Sequence, residues 1–120
     1  MKVHTLNIKW GTSRGASTYG YTTCSLRDQR GNRRAYCHGG GYDMRGTVFG
    51  DWLAEEYQQK LSALPDKAFY GLHKNGSRVS IDGACGFESV RNIAEALDLE
   101  VNLIDAGKNL DIITVIDKEN

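Results

Sequence analysis

Residues 19–39 read YGYTTCSLRDQRGNRRAYCHG. Two runs rich in aromatic, Thr and Cys residues, Tyr19 to Asp28 and Arg33 to Gly39, flank a polar link that contains glycine, and this pattern predicts a β-hairpin. A hairpin this early commits the sheet to antiparallel pairing. If the link is a two-residue turn, Arg30-Gly31 or Gly31-Asn32, strand parity sorts the side chains into two sets. Cys24, Leu26, Ala35 and Cys37 share one face; Tyr19, Tyr21, Thr23, Ser25, Arg27, Arg34, Tyr36 and His38 share the other. The first set suits a core, and the second interleaves rings with cations, a composition that stacks bases and pairs phosphates. A three-residue loop, Gln29-Arg30-Gly31, with a bulge would change the relative parity and mix the sets. The two-residue turn is preferred because it keeps apolar and polar residues apart, as burial of one face demands. The competing role for the Tyr-rich face is packing beneath a helix with its hydroxyls satisfied at the edge.

Downstream, residues 37–53 read CHGGGYDMRGTVFGDWL. Glycines ahead of a helix can offer backbone N–H groups to an anion, with Arg45 beside them. The stretch lacks the GK[ST] of a phosphate loop, and Met44 stands where the third glycine of GxGxxG would fall, so a nucleotide cradle is not expected. A bend fits better, with Asp43 or Thr47 as helix cap and Arg45 assisting a neighbouring anion site. Phe49, Leu53, Tyr57, Leu61 and Leu64 recur at helical steps, predicting one helix over 47–64 that ends at Pro65 and Asp66. Upstream, Val3 to Trp10 alternates as a half-buried strand, with Leu6, Ile8 and Trp10 on one side.

The second half repeats the order. Phe69 to His73 and Arg78 to Asp82 flank Asn75-Gly76, a pair suited to a type I′ turn. A helix over 87–98 carries Phe87, Val90, Ala94 and Leu97, and strands Glu100 to Asp105 and Leu110 to Asp117 close the chain. The expected fold is α+β: one domain spanning 1–120, a largely antiparallel sheet and two helices, in the order βββα followed by ββαββ.

The 120 residues, 40% of them hydrophobic, supply a core without disulfide support. Cys24, Cys37 and Cys85 lack metal-type spacing and suit a reducing compartment. No apolar run approaches a membrane span, and MKVHTLNIKW alternates rather than forming a signal peptide's apolar block, so a cytoplasmic location and no membrane partner are expected. Net charge is zero, yet residues 1–50 hold eight cations against two anions, leaving +6 there and −6 beyond. Either the halves compensate on folding, or the basic half favours polyanions.

Cys85, beside the start of the second predicted helix, with His73 and Asp82, is the candidate set for a small Cys-dependent enzyme. A zinc site from Cys24, Cys37 and His38 is not expected, because adjacent strand residues Cys37 and His38 face opposite ways. No cofactor is expected either.

The stretches TSRGASTYGYTTCSLRD, GGGYDMRGTVFGDWL and SIDGACGFESVRNIAEAL resemble segments of short proteins encoded by tailed phages and prophages. The resemblance implies a phage accessory protein that binds host macromolecules, including defence complexes such as CRISPR nucleases. On this reading the protein is an anti-defence, anti-CRISPR-like inhibitor or a nucleic-acid binder in the host cytosol. The contact residues expected from the hairpin face and the neighbouring cations are Arg14, Tyr19, Tyr21, Arg27, Arg34, Tyr36, His38 and Arg45, and the expected partner is a nucleic acid or host nucleoprotein. A small enzyme and a structural phage component are the alternatives.

Overall fold

The computed structural model describes residues 1–11, 22–40, 42–83 and 86–119. Among these residues the chain runs β1 (Lys2–Gly11), β2 (Thr23–Arg27), β3 (Arg33–His38), α1 (Met44–Glu56), α2 (Gln58–Ser62), β4 (Leu72–Asn75), β5 (Arg78–Ile81), α3 (Phe87–Ala96), β6 (Leu99–Gly107) and β7 (Leu110–Asp117). The order of strands in the main sheet is β3-β2-β1-β7-β6, with every neighbouring pair antiparallel, and β4 and β5 form a separate hairpin. The α+β expectation holds. The sheet forms because alternating residues bury one face: Leu6 and Ile8 on β1, Cys24 and Leu26 on β2, Ile113 and Val115 on β7. Against them lie Val48, Phe49, Trp52 and Leu53 of α1 and Val90, Ile93 and Ala94 of α3. Helix α1 sits centrally, in contact with β2 and β3 on one side and with β5 and α3 on others.

One expected helix is two. Tyr57 leaves helical geometry (φ −125°, ψ 36°) between α1 and α2. Its hydroxyl donates to Asp117 Oδ2 at 3.1 Å, and the Gln58 amide bonds both N–H and C=O of Val79 on β5. Those tertiary bonds offset the helical continuity given up at Tyr57, and the Gln58 amide also donates to the Ala54 carbonyl left at the break. Asp43, not Thr47, caps α1, its carboxylate accepting the Arg45 N–H at 3.1 Å. The β4–β5 turn is Gly76-Ser77 rather than Asn75-Gly76, since Asn75 pairs with Arg78, and Gly76 takes a positive φ of 64°.

Two further glycines explain how the helices meet. A Cβ on Gly46 would stand 2.6 Å from the Gly83 carbonyl oxygen, and one on Gly83 would stand 2.3 Å from the Gly46 oxygen. Backbone therefore packs on backbone where the start of α1 meets the turn that leads to α3. This close approach is a purpose that glycine alone serves.

Candidate functional site

The tip of the first hairpin differs from expectation and decides what its faces carry. Asp28 N–H bonds the Asn32 carbonyl and Gly31 N–H bonds the Asp28 carbonyl, so the loop is the three-residue Gln29-Arg30-Gly31. Gly31 has φ 86°, and Asp28 Oδ1 accepts N–H bonds from Arg30 and Asn32 at 3.0 and 2.9 Å. A type I turn closed by a left-handed glycine is the usual geometry for this loop length. Yet the two side-chain sets do not mix. Arg27 pairs with Arg33 while Leu26 pairs with Ala35, leaving Arg34 as an extra bulged residue that restores the parity. Cys24, Leu26 and Ala35 are buried, Cys37 is half-buried, and Tyr36 and His38 are exposed on the opposite face.

The bulge exchanges one arginine for another. Arg34, expected beside Tyr36, turns toward α1, where its guanidinium pairs with Glu56, Glu55 at 3.4 Å and Asp28 at 3.9 Å. The bond to Glu56 raises its pKa further above the ordinary range. In its place Arg33, absent from the sequence expectation, lies over the Tyr36 ring at 4.8 Å from the centroid. The signal that would have found it is the Asp28-x-x-Gly31 pattern, which marks a type I turn with a bulge.

No helix covers the opposite side of the main sheet among the described residues, because both long helices pack on the Leu6 and Ile8 side. In register across this open face stand His38 and Thr23, then Tyr36, Ser25 and Lys9, then Arg33, Arg27 and Asn7. Farther along come Ile112 with Ile104, Thr114 with Asn102, and Val3 with Ile116 and Glu100. Tyr36 is 47% exposed, Val3 48% and Ile104 57%. Lys9, Arg27 and Arg33 are exposed and have no carboxylate within ion-pair distance among the described residues. One guanidinium N–H of Arg27 donates to the Gly31 carbonyl at 2.9 Å, which holds the side chain at the hairpin tip. The charge asymmetry of the sequence thus survives folding on this face: cations on β1, β2 and β3, and Glu100 on β6 at the other side.

Arg45 is not an anion-binding arm. Its Nε and Nη2 donate to both oxygens of Asp43 at 2.8 Å, its Nη1 donates to Asp111 Oδ2 at 2.8 Å, and its guanidinium lies 5.7 Å from the Trp10 ring centroid. The Asp43 bonds lead in raising its pKa. This fork ties the start of α1 to the buried carboxylate of Asp111 on β7, so the Arg45 charge is spent on packing the helix against the sheet. Arg14, Tyr19 and Tyr21 lie outside the described residues, as does Cys85. His73 and Asp82 are both exposed and line one depression of about 560 Å³ with Lys67, Phe69 and Tyr70.

A second polar cluster lies under the sheet. His4 Nε2 is 3.2 Å from the Tyr57 hydroxyl, which itself donates to the fully buried Asp117. Since that hydroxyl's proton goes to Asp117, its oxygen accepts from His4, which fixes the proton on Nε2. Burial and then the Lys2 charge hold the His4 pKa below its ordinary value, and burial followed by the Asp117 charge raises that of Tyr57. His4 borders a cleft of about 230 Å³ with Lys2, Arg30, Arg34, Trp52 and Glu56.

Among the described residues no three His, Cys, Asp or Glu side chains converge on a metal-sized site, and no helix is long and apolar enough to cross a membrane. Comparison with protein-family models, curated protein sequences and solved structures returns no match.

Proposed function

We propose that the protein acts by binding, through the open face of its main sheet, and that its partner is a nucleoprotein of the host. The observation that carries this reading is that Lys9, Arg27 and Arg33 surround the exposed Tyr36 on a face where, among the described residues, no carboxylate pairs with them and no helix packs. Three cations and a ring at this spacing suit two or three nucleotides of a single strand, with phosphates on the cations and a base on Tyr36. His38, one row away, extends the same surface. The apolar side chains of Val3, Ile104, Ile112 and Ile116 continue the face toward β6 and suit a protein surface. A nucleoprotein offers both chemistries at once. An anti-defence role, in which a phage protein occupies the nucleic-acid path of a host nuclease complex, is the biological form of this proposal.

The direct experiment is titration of a fluorescent single-stranded oligonucleotide and of its duplex over a range of salt. Salt-dependent binding that favours the single strand supports the reading. Failure to bind either form at low salt removes the nucleic-acid half of it.

A further inference from the structure

Cys24 on β2 and Cys37 on β3 are register partners, and both point toward the helices. Both are free thiols. Cys24 is 1% exposed, whereas Cys37 is half-buried and within reach of solvent. Directly opposed residues of an antiparallel pair hold their Cα atoms about 4.5–5.5 Å apart, inside the span of about 4.4–6.8 Å that a disulfide bridges. The two side chains are neighbours across the strand pair, and the Cys37 S–H donates to the Met44 carbonyl oxygen at 3.9 Å. Hydrogen bonding with the neighbouring Cys37 thiol, and then burial, hold the Cys24 thiol well above its ordinary range. Solvent access therefore falls on the outer residue, Cys37, with a second thiol directly behind it.

We propose that Cys24 and Cys37 form a thiol–disulfide exchange site that takes low-molecular-weight disulfides, with Cys37 as the attacking thiol and Cys24 as the resolving one. The Cys37 thiolate attacks one sulfur of glutathione disulfide, forming a mixed disulfide and releasing one glutathione thiolate. Cys24 then loses its proton to solvent and attacks the Cys37 sulfur, releasing the second glutathione thiolate. The protein loses two electrons and two protons, and one glutathione disulfide becomes two glutathiones. The product staples β2 to β3 directly behind the Tyr36 and His38 face. A cross-strand link between residues that oppose each other so directly is strained, which places it among reversible rather than permanent disulfides.

The test is incubation of the folded full chain with glutathione disulfide, followed by alkylation of remaining thiols and peptide mass mapping, with circular dichroism confirming that the fold is kept. The expected result is a Cys24–Cys37 link, a loss of two hydrogens from the protein mass, and return of both thiols on adding excess glutathione. Cys24→Ser should retain glutathione on Cys37, and Cys37→Ser should leave Cys24 unmodified. Should the mapping of wild-type protein show Cys24 and Cys37 both alkylated, or a link that involves Cys85 instead, the proposal is overturned. The wild-type result decides this even where a Ser variant fails to fold.

Discussion

Arg45 Nη1 lies 2.8 Å from Asp111 Oδ2, and Asp111 is 3% exposed near the start of β7, opposite Ile8 of β1. The pair joins the first turn of the central helix to the sheet, so its loss leaves a carboxylate with little water to replace the guanidinium. Exposed pairs contribute about 0–1 kcal/mol and breaking fully buried ones costs about 3–5. Arg45 is partly exposed, which puts Arg45→Met between these limits, at about 2 kcal/mol of lost stability. Asp111→Asn should cost less, and the double variant less than the sum of the two. Urea denaturation of the four proteins provides the cycle.

Gly46 and Gly83 tolerate no side chain in their present positions, because each added Cβ would meet backbone atoms rather than a movable side-chain end. Gly46→Ala or Gly83→Ala should therefore destabilise by about 1–3 kcal/mol, the usual cost of overpacking, although alanine favours helix. Gly50→Ala, whose nearest contact is the Ile81 side chain at 3.1 Å, should cost less. Thermal melts of the three variants give the order.

Tyr57→Phe removes the hydroxyl that links His4 to Asp117 while keeping the ring that packs on Trp52. Asp117 keeps an N–H bond from Glu119 and the Lys60 ammonium at 3.8 Å, so the loss should stay near about 1–2 kcal/mol. A denaturation midpoint unchanged from wild type would show that the hydroxyl adds nothing.

His4 supplies a pH dependence of known sign. Its folded pKa lies below the ordinary 6.5, chiefly through burial, so between those two values the unfolded chain binds more protons than the folded one. Stability must therefore fall as pH drops from about 6.5 toward the folded pKa, and the effect is complete below it. His4→Gln should flatten that part of the stability profile. Urea midpoints of both proteins between neutral and mildly acidic pH give the comparison, and NMR titration of the ring reads the shift itself.

Where the fold was legible, residues acted through their immediate neighbours. The alternation of Leu6 with Ile8 marks β1, and the spacing of Phe87, Val90 and Ala94 marks α3, because burial of one face needs only the local period. The break at Tyr57 was not legible. It depends on Asp117 and Val79, which the chain brings near only after folding. At the candidate site, Tyr36, Arg27 and His38 were placed correctly on the face away from the core. Arg34 was not, because the loop is one residue longer than expected and the bulge absorbs the difference by turning that residue away. Arg45 had the right position for an anion arm, but it is captured by Asp43, two residues before it, and by Asp111, which lies sixty-six residues later on β7.

The exchange of Arg33 for Arg34 makes the most direct measurement of the proposed function: single-strand affinity against salt for wild type, Arg33→Met, Arg27→Met, Arg34→Met and Tyr36→Ala. Arg33→Met and Arg27→Met should each lower the salt slope by about 0.7, one phosphate contact on a single strand. Tyr36→Ala should weaken binding by about 1–3 kcal/mol with the slope unchanged, as loss of one stacked base does. Arg34→Met, folded by circular dichroism, should bind as wild type does, since its charge is held by Glu55, Glu56 and Asp28. Equal slopes for wild type, Arg27→Met and Arg33→Met, or a slope that falls only in Arg34→Met, would contradict the assignment of this face as the nucleic-acid contact.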